Sequence, residues 1–248
     1  MTDIHTHILP NVDDGAESFN QAMTMIHQAY CTGTRAIILT PHCNIPGLFK
    51  NYADEIAAQM YFFAAEAQKN IPVRIYPGME VFATDDLPEL IDEKKVLTLN
   101  NSRYMLVEFD FYDDPARAEK VLEQIRARGI VPIIAHPERY SFIQACPLIL
   151  YDWINEGCLS QINKDSLLGA FGGDCSRTAR LILRHNLTQF VASDAHTHIS
   201  RNTEMASARR LVRDFASPQY AQLLFDDNPA AVIKNMPVFV PEPVEPPM

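Results

Sequence analysis

The chain has 248 residues, 47% of them hydrophobic, which is enough for one large folded domain and excludes a disordered chain. Its formal net charge is -10 and it has no run of Lys or Arg, which argues against a protein that binds nucleic acid through the phosphates. It has no signal peptide and no apolar stretch of the roughly 20 residues that insert into a membrane, and its five scattered cysteines indicate free thiols, so we expect a soluble cytoplasmic protein.

Seven apolar runs alternate with amphipathic stretches along the chain. The runs have the length of strands, and the stretches repeat apolar residues at helical spacing. The predicted strands are Asp3–His5, Ala36–Thr40, Val73–Met79, Tyr104–Phe109, Ile130–Ala135, Cys158–Ile162 and Leu187–Ala192. The predicted helices are Ser18–Thr32, Tyr52–Asn70, Pro115–Gly129, Leu148–Glu156, Cys175–His185 and Glu204–Phe215.

This alternation predicts an α/β fold with a parallel sheet, because parallel neighbours need a crossover connection. With seven units, we expect the sheet to close into a distorted (β/α)7 TIM-like barrel, and a doubly wound open sheet is the alternative. Residues 1–236 then form a single domain. The last twelve residues, 237–248, contain five prolines and two glutamates without helical spacing, which predicts an extended, flexible tail.

Six of the seven predicted strands end in His, Asp or Glu or are directly followed by one of them. The carboxyl ends of parallel strands meet at one end of the fold, so we expect these side chains to converge there. One such Glu is ordinarily a helix cap or an ion-pair partner, and one such His is ordinarily structural, but their joint occurrence indicates a site. The residues are His5, His7, Asp13, Asp14, His42, Glu80, Glu108, His136, Asp194 and His196.

Metal ions are the simplest way to accommodate this set. A buried charge without a partner costs several kcal/mol, and the chain offers few buried cations. Ligands of the His, Asp and Glu type, without thiolate, favour Zn, Mn, Fe or Mg. We expect Cys43 to point away from His42, its neighbour on the strand, and we assign it no ligand role.

Thiol catalysis of the Cys-x5-Arg type is excluded by spacing. That chemistry needs an arginine six positions after the nucleophilic cysteine. The residues at those positions are Ile37, Phe49, Asp152, Lys164 and Leu181, and none of them is an arginine.

Taken together, the motifs resemble the PHP (polymerase and histidinol phosphatase) superfamily, and more narrowly its bacterial manganese-dependent protein-tyrosine phosphatases of capsule and exopolysaccharide operons. The resemblance extends from residue 1 to about residue 235. It rests on His5-Thr-His7, Asn11 to Ala16, Thr40-Pro41-His42, Gly78-Met79-Glu80, Ala135 to Tyr140, Gln161-Ile162-Asn163 with Ser166 to Gly169, and Ser193-Asp194-Ala195-His196.

The resemblance implies three clustered divalent ions, with Mn expected and Fe, Zn or Mg as alternatives. It assigns His5, His7, Glu80 and Asp194 to the first ion. Glu80 bridges to the second ion, which Glu108 and His136 complete. Asp14, His42 and His196 hold the third. The resemblance also implies that Arg139 and Arg201 bind the phosphate, as catalytic and substrate-binding residues.

The expected reaction is hydrolysis of a phosphomonoester by a metal-bridging hydroxide, with the arginines clamping the non-bridging oxygens. The implied substrate is a tyrosine-phosphorylated protein, specifically the tail of an autophosphorylated bacterial tyrosine kinase. Four aromatic residues just past strand ends are candidates for the rim of an open site, although core packing is favoured for Phe109. They are Phe109, Phe111, Tyr112 and Tyr140.

Three alternatives remain open. A histidinol-phosphate or other small-molecule phosphatase would use the same metals in a more closed pocket. A nuclease or proofreading module is disfavoured by the acidic charge and the lack of a polymerase region. A non-catalytic metal-binding regulator would lack some ligands, whereas every one of the nine positions carries a competent ligand.

Overall fold

Short parallel strands surround the centre of the molecule, and helices form the outer layer. The computed structural model describes residues 1–247. Within them the strands are β1 (Thr2–Asp3), β2 (Ala36–Leu39), β3 (His42–Cys43), β4 (Arg74–Pro77), β5 (Glu80–Phe82), β6 (Tyr104–Glu108), β7 (Val131–Ala135), β8 (Leu159–Asn163) and β9 (Phe190–Ala192). The α-helices are α1 (Phe19–Cys31), α2 (Ala53–Asn70), α3 (Leu87–Asp92), α4 (Pro115–Ala127), α5 (Ser141–Ala145), α6 (Leu148–Asn155), α7 (Lys164–Leu167), α8 (Gly172–Arg184), α9 (Ala206–Phe215), α10 (Pro218–Gln222) and α11 (Asn228–Ile233).

Two of the seven predicted strands are each followed, after a short break, by a further strand that was not predicted, β3 after β2 and β5 after β4. The chain between β2 and β3 contains Pro41, and the chain between β4 and β5 contains Gly78. Proline has no N–H to donate to a strand ladder. A Cβ on Gly78 would lie 2.8 Å from Cγ2 of Ile38, so the backbone passes very close to its neighbour there. Each break directly precedes a candidate ligand, and these two ligands, His42 and Glu80, are paired in register between β3 and β5.

The sheet closes on itself. β1, β2 and β4 form one parallel sheet, and β3, β5, β6, β7, β8 and β9 form another in that order. The ends are joined by a parallel bridge between Thr6 and Ala195. The His7 N–H donates to the Ala195 carbonyl, and the Asp194 N–H donates to the His5 carbonyl, both at 2.9 Å. The predicted (β/α)7 barrel is therefore confirmed, and the open doubly wound sheet is not the fold.

Alternation along the strands brings charged residues into the barrel. Tyr104 and Leu106 on β6 belong to one buried cluster with Phe190 of β9. Side chains two residues apart share a face of a strand. Glu108 therefore continues the inward face of β6 at its carboxyl end, where the apolar filling of the barrel gives way to polar groups.

The six predicted helices are all present, with ends that differ by a few residues. In α1, the Ser18 hydroxyl caps the helix by accepting from the Gln21 N–H at 3.2 Å. The buried face of α1 carries the residues that the helical spacing indicated, namely Ala22, Met25, Ile26 and Ala29. The shorter helices α3, α5, α7, α10 and α11 were not predicted, because one or two turns carry too little periodicity.

The segment after residue 236 follows the opposite, amino-terminal end of the barrel. Residues 237–247 contain no helix or strand. Their backbone N–H groups donate to the Tyr104 hydroxyl (from Val238, 3.1 Å) and to the His185 carbonyl (from Val244, 2.8 Å). Residue 248 lies outside the described residues, and both the domain division and the flexibility of the tail stay predictions. No helix within residues 1–247 is long and apolar enough to cross a membrane.

Candidate metal centre

The nine side chains predicted as metal ligands converge at the carboxyl end of the barrel. Their ligand atoms form four overlapping groups, within each of which all of the atoms lie no more than 4.8 Å apart. Most of these side chains are buried, whereas Asp14 is on the solvent side with 54% of its side chain exposed. The groups are His7 with Asp14, His42 and His196; His5 with His7 and Glu80; His5 with His136 and Asp194; and His42 with Glu80 and Glu108.

The tightest arrangement involves His5, His7, Glu80 and Asp194. Nε2 of His5 and Nε2 of His7 lie 3.1 and 3.2 Å from Oε2 of Glu80, and 3.4 and 3.5 Å from Oδ1 of Asp194. Ligands bonded to one cation at about 2.1 Å lie about 3.0–3.4 Å apart at octahedral or tetrahedral angles. Each of these distances is therefore compatible with two ligands of one divalent ion, and the groups of potential ligands join His5 with His7 and Glu80, and His5 with Asp194 and His136.

The two imidazoles are held with their lone pairs facing each other. Nδ1 of His5 donates to Oε1 of Gln161 at 2.7 Å, and Nδ1 of His7 donates to Oδ2 of Asp13 at 2.8 Å. In a neutral ring the proton is then on Nδ1, so the Nε2 atoms, 3.2 Å apart, both present lone pairs. Two lone pairs at this distance repel each other unless a cation lies between them. Burial lowers the pKa of both rings, but the neighbouring carboxylates raise it above the usual value, so either a metal ion or protons on Nε2 can supply that positive charge. The convergence of both Nε2 atoms on two carboxylates is what a metal site requires.

A chain of hydrogen bonds fixes these orientations, and its members were not assigned a role from the sequence. The Gln161 amide donates to Oδ1 of Asn163 at 2.8 Å, and the Asn163 amide donates to Oδ2 of Asp194 at 2.6 Å. Asp13 also accepts from the His42 N–H at 3.0 Å. The available signals were the i, i+2 spacing of Gln161 and Asn163 on one strand, and the position of Asp13 beside Asp14.

Glu80 lies at the centre of the cluster, and its two oxygens face different partners. Oε1 lies 2.9 Å from Nε2 of His136, which is itself 3.5 Å from Oε1 of Glu108. Oε2 faces His5 and His7, and it also lies 3.1 Å from Nδ1 of His42. This placement is compatible with a carboxylate that bridges two ions.

The remaining predicted ligands lie on the solvent side of the cluster. Oδ1 of Asp14 is 3.5 Å from Nε2 of His42 and 3.4 Å from Nε2 of His196. Nδ1 of His196 donates to the Asp194 carbonyl at 3.0 Å, which leaves its Nε2 free to bind a metal. Although buried, Nε2 of His196 and Oε2 of Glu80 have no hydrogen-bond partner within residues 1–247, which is expected of atoms that bind an ion.

The cluster mixes carboxylates with imidazoles. Burial opposes ionisation of Glu80 and Asp194, but the neighbouring histidines hold the pKa of both carboxyl groups well below the usual value. Burial raises the pKa of Glu108, and the neighbouring carboxylates of Glu80 and Asp194 raise it further. Burial also lowers the pKa of His136 to about 4, so this imidazole is neutral at pH 7 and able to bind a metal. Divalent cations would offset the repulsion among the acidic groups.

Backbone strain is concentrated in the same place. Within residues 1–247 and apart from asparagines, four non-glycine residues have a left-handed backbone: Lys94, His136 (φ 33°), Asp194 (φ 50°) and Arg201 (φ 42°). Such conformations persist where the surrounding structure enforces them, and they are frequent at functional sites. Three of the four belong to the predicted site.

Both predicted arginines reach the cluster and line a cavity of about 240 Å³ beside it. Nη1 of Arg139 lies 3.5 Å, and Nη2 of Arg201 2.8 Å, from Oδ2 of Asp194. The loop before Arg201 is closed by the His196 N–H, which donates to the Arg201 carbonyl at 2.8 Å. That hydrogen bond fixes the conformation of the loop, which the sequence of the loop did not indicate.

The four candidate rim aromatics separate into two kinds. Tyr112 is 85% exposed, and Phe111 lines the cavity. Tyr140 is fully buried, and its hydroxyl accepts from the Phe109 N–H at 3.1 Å, so the prediction of a rim position is wrong for Tyr140. Phe109 is buried too, as favoured, although it contributes to the cavity wall.

Replacement of Gly15 by alanine is expected to disrupt the cluster. A Cβ at this position would lie 2.0 Å from the His7 carbonyl oxygen and 2.6 Å from the His7 Cβ. The backbone must then move, which displaces His7 and the loop that carries Asp14. We expect a loss of bound metal per chain and a melting temperature lower by several degrees, in line with overpacking costs of about 1–3 kcal/mol.

Gly173→Ala is the matched control for this substitution. A Cβ there would make only an ordinary contact, 3.4 Å from the flexible Arg177 side chain. Metal analysis and differential scanning calorimetry on both variants provide the test. Unchanged metal content in the Gly15→Ala variant would show that His7 and its loop do not depend on this close approach.

Comparison with known proteins agrees with this architecture. The sequence model of the family described as "Capsular polysaccharide synthesis, CpsB/CapC" matches residues 1–234. The tyrosine-protein phosphatase YwqE of Bacillus subtilis (strain 168) is 33% identical over 255 aligned residues, which cover 99% of this chain and 97% of the relative.

Solved structures give the same result. One, from a study of YwqE of Bacillus subtilis and CpsB of Streptococcus pneumoniae as "unique metal-dependent tyrosine phosphatases", has a TM-score of 0.93 and 32% identity, with 100% of both chains covered. The histidinol phosphate phosphatase of Lactococcus lactis, at 14% identity and a TM-score of 0.58 over 87% of this chain and 94% of that one, shares the fold alone.

Proposed function

Because the chain belongs to the CpsB/CapC family of capsular polysaccharide synthesis, we propose that it is a metal-dependent phosphatase that hydrolyses phosphotyrosine on a protein. The observation that carries this proposal is the facing pair of imidazole lone pairs of His5 and His7, surrounded by carboxylates and adjoined by two arginines. Cations that bind phosphate oxygens and cationic side chains that grip them are the two elements that phosphomonoester hydrolysis needs.

We propose three divalent ions at this centre, with Mn as the first candidate and Fe, Zn or Mg as the alternatives. The first ion would be held by His5, His7, Glu80 and Asp194, the second by Glu80, Glu108 and His136, and the third by Asp14, His42 and His196. The choice of metal rests on the donor set, which contains imidazole and carboxylate but no thiolate. Cys43 is in none of the ligand groups found within residues 1–247.

The bound ions would neutralise the phosphate dianion and ionise a water molecule near neutral pH, since metal binding can lower the pKa of water from 15.7 to about 7. Within the chain, Arg139 and Arg201 would bind the non-bridging phosphate oxygens. Asp194 orients both guanidinium groups through its Oδ2 atom. The tyrosine leaving group has an unperturbed pKa of about 10, so it departs more readily than an alkoxide.

The position of the cavity supports a phosphorylated side chain as the substrate. The cavity is lined by charged groups, among them Glu80, Glu108 and both arginines, and also by the apolar side chains of Ile45, Phe82 and Phe111. Asp14 marks its solvent side. A phosphate beside the charged groups would leave a phenyl ring in contact with the apolar side chains.

We propose that the phosphotyrosine belongs to an autophosphorylated bacterial tyrosine kinase that controls exopolysaccharide synthesis. The description of the family supports a role in capsule synthesis. We also propose a cytoplasmic location, which the five unpaired cysteines support.

The substrate assignment is tested by comparing two phosphomonoesters on the metal-loaded protein. A phosphotyrosine peptide and histidinol phosphate are assayed in parallel with Mn, Zn, Fe and Mg. We expect turnover of the peptide to exceed that of histidinol phosphate, and to be fastest with Mn. A Cys43→Ala variant should keep this turnover, because the thiol has no role in the reaction.

Fast turnover of histidinol phosphate with none of the peptide would instead identify a small-molecule phosphatase. Absence of turnover with both compounds, in protein shown to contain metal, would identify a non-catalytic metal-binding protein.

A further inference from the structure

The guanidinium group of Arg139 lies close to two aromatic rings. Its Cζ atom is 4.5 Å from the centre of the Phe111 ring and 5.0 Å from the centre of the Phe171 ring. The Cζ atom of Arg201 is 5.9 Å from the same Phe171 ring. We call Phe111 and Phe171 the aromatic clamp. Phe111 contacts Arg139, and Phe171 contacts both of the arginines proposed to bind phosphate.

The Phe111 ring is held by its surroundings, and two glycines shape the turn that carries Phe171. The Phe111 carbonyl accepts from the Ser141 N–H at 2.8 Å, and the Phe111 ring lies edge-on to the His136 ring with 6.1 Å between centres. Phe171 directly precedes α8. Gly169 (φ 86°) and Gly172 (φ 90°) provide the left-handed turns on either side of it that bring its ring over the arginines.

This arrangement controls which part of the arginine can form hydrogen bonds. A guanidinium group is planar, its N–H bonds lie in the plane, and aromatic faces attract its cationic face. An aromatic ring against a face of the guanidinium group leaves the N–H bonds at its edges free to donate hydrogen bonds. Those edges already reach Oδ2 of Asp194, and they are the part of the group that binds phosphate oxygens in bidentate fashion.

We propose that Phe171, together with Phe111, is a positioning residue that holds Arg139 and Arg201 in orientation for a tetrahedral oxyanion. The inference rests on the proposed function insofar as the oxyanion is a phosphate. Long arginine side chains lose considerable rotamer freedom on ligand binding. A clamp present before the ligand arrives removes that cost and so increases affinity for the anion.

The test measures binding of inorganic phosphate to the Mn-loaded full-length protein by isothermal titration calorimetry. Phe171→Leu keeps the apolar volume but removes the aromatic face, and it is expected to weaken phosphate binding about threefold to thirtyfold. Phe171→Tyr keeps the face and should remain within about twofold of the original affinity. Bound metal per chain and melting temperature should be unchanged in both variants.

A double-mutant cycle separates positioning from a general structural effect. In an Arg139→Lys background, Phe171→Leu should have a smaller effect on phosphate affinity, because lysine has no planar group that can stack on an aromatic ring. Phe215→Leu is the matched control, since Phe215 contacts Arg184 at 4.9 Å outside the site. It should leave phosphate affinity unchanged.

Two results would overturn the inference: unchanged phosphate affinity in Phe171→Leu, or no phosphate binding by the original protein. Failure of the proposed function would be seen separately. In that case the phosphotyrosine peptide is not hydrolysed, while phosphate binding and its dependence on Phe171 persist.

Discussion

Replacing Asp194 by asparagine is expected to lower kcat/KM for a phosphotyrosine peptide by more than about a hundredfold while the fold is retained. Oδ1 of Asp194 faces His5 and His7, and Oδ2 accepts from Asn163 at 2.6 Å and from Arg201 at 2.8 Å. Asparagine has the same shape but no charge. Changes one layer further from a metal already cost about 10- to 100-fold, so loss of a ligand should cost more.

The measurement combines steady-state kinetics with circular dichroism and metal analysis. Asp92→Asn is the matched control, because Asp92 pairs with Arg128 at the surface, at 2.7 Å and with 60% of its side chain exposed. That variant should keep normal kinetics, as surface ion pairs contribute little. An Asp194→Asn protein with a near-normal rate would remove Asp194 from the set of ligands.

Removal of metal with a chelator is expected to abolish turnover and also to lower the melting temperature. Without metal ions, only protons on the neighbouring imidazoles and the two arginines offset the buried carboxylates of Glu80, Glu108 and Asp194. A ligand present at about 100 times its Kd stabilises the folded state by about 2.7 kcal/mol. For a chain of this size, that corresponds to a shift of about 5–10 °C.

Calorimetry with and without chelator, followed by addition of Mn, provides the measurement. Turnover and melting temperature should both recover with Mn. In a His136→Ala variant, activity should be lost, and the difference between metal-loaded and metal-free melting temperatures should become smaller. Identical melting temperatures before and after chelation would argue against a buried metal cluster in the folded protein.

Much of the fold was determined by local sequence pattern. Each strand and helix buries one face or both, so the period of its apolar residues shows its type. The candidate ligands could be identified because chain order alone shows that Asp194 or Glu108 follows a strand. In parallel barrels that position is at the functional end. The family resemblance and the barrel are confirmed, whereas the assignment of ligands to three ions stays a prediction.

Other features could not be read in this way. Asp13 and Gln161 orient the imidazoles of His7 and His5, and the His5–Gln161 contact joins residues 156 positions apart. Tyr140 follows a strand end as Phe111 does, yet it is buried, because its hydroxyl finds a partner in the Phe109 N–H. Nothing in the spacing of Phe171 indicates that its ring reaches Arg139 and Arg201.

The sequence by itself thus determined which side chains are candidates for the chemistry and at which end of each strand they lie, because burial and periodicity are properties of neighbouring residues. Only the tertiary structure decided which of them meet. The bridge between Thr6 and Ala195 closes the barrel and brings His5 and His7 beside Asp194. The distances between the candidate ligands, the directions of their lone pairs and the aromatic contacts depend on that closure, because it brings together residues that lie far apart in the sequence.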